Sequence, residues 1–189
     1  PNGVALIDVL DKTLTAMGGR MLKHWLAFPE RNLSKIEERL DLVEALTKDD
    51  SIKDKMANHL SEIVDIERIV AKIATQKISP RALVQLGKSL DQITEIKVDL
   101  LDHPSTKLKT LGGRFLDAME VIKLIKSTLK SEAPVLLGKG EVIADGVNVE
   151  LDELRQLLHS GKEHLDSMLE RESERTQIPS LKIAFNNVF

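Results

Sequence analysis

From Leu151 onward, Leu154, Leu158, Gly161, Leu165, Met168 and Leu169 keep a three-or-four residue spacing for more than two heptads. That spacing writes one stripe along a single helix. A helix from Leu151 to about Thr176 would be roughly 39 Å long. Such a rod is too long to hide inside a small core, so the spacing predicts a protruding arm. Its far end, Glu170-Arg171-Glu172-Ser173-Glu174-Arg175, carries charges of both signs and no apolar stripe, as a solvated helix end does. Pro179 then stops it, and Leu181, Ile183, Phe185 and Phe189 alternate with Lys182, Ala184, Asn186 and Val188 in the period of a strand. A lone strand has no ladder partner, so the expectation is a strand stub that further chain would complete.

The preceding residues repeat the helical period in shorter pieces. Asp8 to Thr15 reads as a short helical turn and a bend. Met17, Met21, Leu22, Trp25 and Leu26 mark a helix that stops at Phe28-Pro29. Ser34 to Glu37 spells a capping box ahead of a helix from Lys35 to Leu46, with Ile36, Leu40, Val43 and Leu46 as its buried stripe. Ser51 to Leu60 is a further helix, and Ile63, Ile66, Ile69, Val70 and Ile73 mark the next. Ser79-Pro80 places an N-cap before a proline at the first helical position, with Leu83, Leu86 and Leu90 continuing the apolar face. Leu108 to Lys130 reads as one long helix carrying Leu116, Met119, Ile122, Leu124, Ile125 and Leu129, with Gly112-Gly113 as the place where it would break. Residues 134–149 hold three glycines and a proline and predict a loop or small hairpin. The expected fold class is all-α: an irregular multi-helix core, one long protruding helix, an interruption near 134–149 and a terminal strand stub. Only 3 % of the residues are aromatic, while 42 % are hydrophobic, which suits helices and a real core.

Several functions are disfavoured by what the residues can do. The net charge of -3 gives no overall basic field for nucleic acid or an anionic membrane. Cysteine is absent, so disulfides and thiolate metal sites are excluded, and no stretch is apolar enough for a membrane span. A cytoplasmic location is the expectation. Gly138-Lys139-Gly140 is too short for a phosphate-wrapping loop and lacks the hydroxyl that follows one. His159 and His164 sit five apart, about 140° around a helix, and so do not converge on a metal. Lys123, Lys126 and Lys130 line one face of the expected long helix, in a segment (105–140) with seven basic and three acidic residues, and are weak candidates for phosphate contacts. Segment 141–189 counters them with ten acidic against five basic residues. Catalytic, cofactor and metal residues are expected to be none. Gly18-Gly19-Arg20 and Gly112-Gly113-Arg114 repeat one pattern, and paired glycines before helical runs point to close backbone approach.

Three stretches together resemble the bacterial MutS mismatch-repair family. The first is Leu10 to Leu22 with Trp25-Leu26 and Arg39-Leu40-Asp41-Leu42-Val43-Glu44. The second is Asp65-Ile66-Glu67-Arg68 with Ser79-Pro80-Arg81. The third is Glu170 to Thr176, then Ile178-Pro179-Ser180-Leu181-Lys182-Ile183 and Asn186-Asn187-Val188-Phe189. The resemblance implies a helical core over 1–150, a lever helix over 151–176 and the start of a DNA clamp over 177–189. It also implies that the parent protein is a dimeric, DNA-dependent ATPase using ATP and Mg on mismatched duplex DNA, with no membrane partner. The family's mismatch-wedging aromatic, its nearby glutamate and its nucleotide loop match no residue here. Gln177 and Ala184 stand where the family commonly has glycine, so Gln177 has to end the helix without glycine's ease at positive φ. The alternatives are, within the resemblance, the core of a MutS-like paralogue and, outside it, a generic helical interaction scaffold or a small helical enzyme.

Overall fold

The computed structural model describes residues 3–178 and 180–182, with Lys162 described by its backbone alone. The described chain is all-helical and forms two compact units, one up to Ala144 and one from Asp145. The first holds α1 (Leu6–Leu10), α2 (Ala16–Ala27), α3 (Leu33–Thr47), α4 (Asp50–Ser61), α5 (Ile66–Ala74), α6 (Pro80–Asp102), α7 (Thr106–Gly112) and α8 (Met119–Thr128). The second is built on α9 (Val149–Thr176).

Most starts are chemically explicit. The Thr15 hydroxyl accepts from Gly18 N at 3.0 Å, Asp49 accepts from Ser51 N and Ile52 N, and Ser79 accepts from Ala82 N beside Pro80. Each satisfies amides that have no partner inside the helix. The capping box expected at Ser34 does not form. Asn32 caps α3 instead, accepting from Lys35 N at 3.3 Å, which starts the helix at Leu33 and puts Ser34 inside the first turn. Either residue could have capped, and Asn at this position is as good a cap as Ser.

The first unit is organised on α6, which packs against α4, α5, α7 and α8. Its Ile96 and Leu100 join Ile52 of α4, Ile63 and Leu108 of α7 in a buried apolar cluster, and Leu108 is fully buried. Met17, Leu42, Leu46 and Phe115 pack around that cluster. Farther up α6, Ser89 is fully buried and its hydroxyl accepts the Val64 amide at 3.1 Å, which seats the chain just before α5. In α3 the core-facing residues are Leu42, Ala45 and Leu46, whereas the expected stripe members Leu40 and Val43 are exposed. Both readings obey a helical period. The apolar residues of α3 wrap too wide an arc for spacing alone to choose the buried side.

The expected long helix from Leu108 is two helices. A Cβ on Gly112 would stand 3.0 Å from Leu100 Cβ and 3.2 Å from the Leu101 amide nitrogen, so α7 meets α6 backbone to backbone. The chain then turns through 113–118, tucking Phe115 toward the core while Leu116, expected in the stripe, is 90 % exposed. The interruption after α8 is a loop tied at its base. Leu129 bridges Ile143 antiparallel, the Lys130 amide donates to Val142 O and the Ala144 amide donates to Thr128 O, each at 2.9 Å. Gly138 and Gly146 hold φ of 78° and 82°, which side-chain-bearing residues rarely adopt. Buried Ala133 and its neighbour Pro134 accept from Arg81 Nε and Arg81 N, both at 3.3 Å, and so anchor the loop to the first turn of α6.

In the second unit Asn148 caps α9 by accepting from Leu151 N at 2.9 Å, and Arg155 pairs with Asp145 and Asp152. Leu154, Leu157 and Leu158 are exposed along the helix. Gln177 ends α9 at φ 59°, the left-handed conformation that its position demanded. The strand expected over Leu181 to Phe189 falls mostly outside the described residues, since Ile183 to Phe189 are not among them.

Two substitutions test this packing. Leu108→Ala should cost about 2–5 kcal/mol of unfolding free energy, as deletions at fully buried leucines do. Gly112→Ala should cost about 1–3 kcal/mol despite alanine's better helix propensity, because the added carbon meets backbone as well as side chain. Both are read from urea denaturation of the 189-residue chain, and a Gly112→Ala protein as stable as the parent would refute the close approach.

Candidate functional site

An extended polar arrangement among the described residues is built on Arg20 of α2. Its guanidinium donates in a fork to Asp65, NH1 to Oδ2 at 2.8 Å and NH2 to Oδ1 at 2.7 Å, and its Nε donates to Glu67 Oε2 at 3.0 Å. Asp65 is also the N-cap of α5, accepting from Arg68 N at 3.3 Å. One carboxylate thus starts α5 and holds α2. The Asp65 side chain is only 17 % exposed against 41 % for Arg20, so the pair is partly shielded from water. The Arg20 fork and the Arg68 amide draw Asp65 down to about 2 from its ordinary 3.8, and the bonds to Asp65 and Glu67 raise Arg20 above its usual range. The glycines before Arg20 have their own use. A Cβ on Gly18 would lie 3.1 Å from Thr15 Oγ1, and one on Gly19 would lie 3.3 Å from Thr13 Oγ1, so the Asp11–Thr15 turn folds tightly over the first turn of α2.

Further ties join the other helices of this unit. The Arg39 guanidinium of α3 lies 4.0 Å from the ring centre of Trp25 on α2, a cation–π contact. Between α4 and α6, Lys55 and His59 both reach Asp99, and the His59 ring meets Gln92 at 2.7 Å. Lys55 is the main reason that the Asp99 carboxyl sits below its usual range. His103 after α6 meets Asp49 at 3.2 Å, Lys107 of α7 pairs with Asp41 of α3, and Arg114 pairs with Glu38 of α3. The second Gly-Gly-Arg therefore repeats part of the first: Gly112 permits a close approach and Arg114 closes an ion pair to another helix.

These groups are spent on one another. Among the described residues no three His, Asp or Glu side chains gather as a metal set. His159 and His164 are both exposed on α9. Lys139, in the glycine loop, donates its amide to Leu136 O at 3.3 Å. The three lysines named as candidate phosphate contacts do not share a helix face. Lys123 and Lys126 lie on α8, but α8 ends at Thr128 and Lys130 belongs to the bridged segment after it. Lys126 pairs with Asp91 of α6 and Lys130 with Glu141, whereas Lys123 is exposed. The Arg20–Asp65 clamp was missed by local reading because its partners are 45 residues apart. Its signal was present in the two separate stretches, Gly18-Gly19-Arg20 and Asp65-Ile66-Glu67-Arg68, whose charges are opposite and whose roles had no local explanation.

Among the described residues, the polar groups of this all-helical unit chiefly tie one helix to another. Residues 2–179 match MutS domain III. Over 189 residues the chain is 48 % identical to the DNA mismatch repair protein MutS of Flavobacterium johnsoniae, covering 100 % of the chain and 22 % of that relative. It is 45 % identical over 187 residues to the protein of the same name from Phocaeicola vulgatus, and 41 % identical over 187 residues to that from Cytophaga hutchinsonii, each match covering 99 % of the chain and 22 % of the relative. The chain belongs to the MutS family, as its domain III. It spans about a fifth of the length of these curated relatives, at 22 % of each. No helix among the described residues is long and apolar enough to cross a membrane.

The clamp makes a pH-dependent prediction. Asp65 titrates lower folded than unfolded, so its contribution is complete above its ordinary 3.8 and is lost as pH falls through about 2. Arg20→Gln should therefore lower the urea midpoint near neutral pH and bring the Asp65 titration back toward 3.8. The difference between variant and parent should shrink across that acidic window. A carboxyl resonance of Asp65 that titrates unchanged in the variant would refute the clamp.

Proposed function

We propose that this chain serves DNA mismatch repair as the helical core and lever of a mismatch-recognition ATPase. In this reading residues 1–150 form the core, 151–176 the lever and 177–189 the start of a clamp on DNA. The chain then links the clamp and the mismatch reader to the ATPase, and all of these act in a cytoplasmic homodimer. Family membership supports the repair role. The observation that carries the lever role is α9, whose 28 residues make a rod of about 42 Å with exposed Leu154, Leu157 and Leu158 along it. A helix of that length moves as a near-rigid body, and an exposed leucine stripe is what a neighbouring helix of the parent would cover.

ATP and Mg belong, on this proposal, to the parent's nucleotide domain, and mismatch reading belongs to its reader domain. Lys123, Lys126 and Lys130 can add phosphate contacts only by competing with Asp91 and Glu141 at two of the three positions. Any such contact should be weak, indifferent to sequence and sharply reduced by salt.

The purified chain should show no ATP turnover above buffer and equal affinity for matched and mismatched duplexes. Phosphate release and fluorescence anisotropy measure these, and clear turnover would sink the assignment. The lever itself is tested in a full-length protein carrying this chain. Gly161 lies mid-way along α9 with open space around it, so Gly161→Ala is tolerated while Gly161→Pro disrupts the rod at a cost of about 3 kcal/mol. Gly161→Pro should abolish stimulation of ATP hydrolysis by mismatched DNA and spare basal hydrolysis, whereas Gly161→Ala should keep both. Retained stimulation in the proline variant would remove the lever from the mechanism.

A further inference from the structure

Residues 145–148, just before α9, are fastened to the helix as well as leading into it. An N-cap such as Asn148 serves amides inside the first turn and leaves the residues ahead of it unheld. Here Asp152, one turn past the cap, holds them. Its Oδ2 accepts from the Gly146 amide at 2.7 Å, and its Oδ1 accepts from Arg155 NH1 at 3.3 Å. The same Arg155 nitrogen donates to Asp145 Oδ1 at 3.0 Å. Gly146 reaches the carboxylate by turning at φ 82°, a conformation open to glycine. The side chains that do the fastening are shielded, Arg155 being 13 % exposed and Asp152 26 %, against 72 % for Asp145. Hydrogen bonds to a carboxylate are stronger than neutral ones, and salt screens them less where water is partly excluded.

We propose, on the lever reading given above, that Asp152 and Arg155 are positioning residues of the lever, a latch that makes residues 145–148 travel with α9 as one body. A rod passes on a displacement only as far as its end is fixed to the chain it moves, and slack in the residues before a helix absorbs small shifts. With the Gly146 amide and the Asp145 carboxylate both tied to the first two turns, a shift of α9 reaches the peptide at Asp145 instead of being taken up in the turn. Asp152 is the centre of the latch because one oxygen holds Gly146 and the other holds Arg155. The exposed neighbour Glu153 carries the same charge in the same turn and has no ion-pair or hydrogen-bond partner among the described residues. It therefore separates the latch from a simple effect of charge on the helix N-terminus.

Amide hydrogen exchange of the 189-residue chain and ATP hydrolysis by a full-length protein carrying it test the latch together. Asp152→Ala should speed exchange at Gly146 about tenfold and leave the Leu157 and Leu158 amides as protected as in the parent, since alanine keeps the helix. In the full-length protein it should cut the stimulation of hydrolysis by mismatched DNA about fivefold, with basal hydrolysis unchanged. Asp152→Asn keeps an oxygen for the Gly146 amide but not the charge that holds Arg155, and should move both readings in the same direction by less. Glu153→Ala should move neither. Gly146 exchange that stays slow in Asp152→Ala would overturn the latch, and fast exchange with stimulation at the parent level would remove the latch from the coupling. An equal loss of stimulation in Glu153→Ala would assign the effect to charge at the helix end and overturn it too. If Gly161→Pro abolishes stimulation while Asp152→Ala keeps it, the lever stands and the latch falls. If both variants keep it, the lever reading fails as well.

Discussion

Ile96 and Leu100 lie on one face of α6, and water is kept from them only if α4 and α7 cover that face. Most of the first unit follows from this requirement. Covering it with α7 demands a backbone approach that only Gly112 permits, and covering it with α4 brings Lys55 and His59 over Asp99. The buried Ser89 hydroxyl then seats the segment before α5, and Asp65 at the start of α5 is thereby placed where Arg20 can reach it. The apolar burial is non-directional, and the polar ties choose one arrangement among those it allows.

The division between packing and polar ties is uneven along the chain. α7 and α8 each pack against α6, whereas α2 joins through Met17, the Arg20 fork and the Trp25–Arg39 contact. Many apolar residues of the N-terminal helices, including Met21, Leu33, Leu40 and Val43, are exposed.

Helix existence and fold class were legible because the apolar spacing between prolines is regular, as at Ser79-Pro80 and along α9. The buried side of α3 was not legible, since Leu40 and Leu42 both belong to helical stripes and only the position of α7 decides between them. The break after Gly112 was visible as a glycine pair, but its length was not, because Phe115 leaves the helical path to reach a core that spacing cannot locate. The site was legible in part. Its residues stood in stretches that the resemblance had picked out, yet the pairing of Arg20 with Asp65 is a fact of tertiary structure. Lys130 was misplaced for a related reason: the ladder to Val142 ends α8 two residues earlier than its apolar pattern suggested.

The ion pair between Arg114 and Glu38 spans 76 residues, and the Arg20–Asp65 fork spans 45, whereas α6, α7 and α8 follow one another through short connectors. Loop-closure entropy must be overcome before a distant contact gives anything back, and nearby contacts ask for much less. The α6–α7–α8 segment is therefore the natural folding nucleus, and the N-terminal helices dock onto it afterwards. During synthesis this order runs against the ribosome, because the N-terminal helices emerge first and wait for the segment that shelters them. Over that interval their apolar faces are open to any chaperone that binds such surfaces.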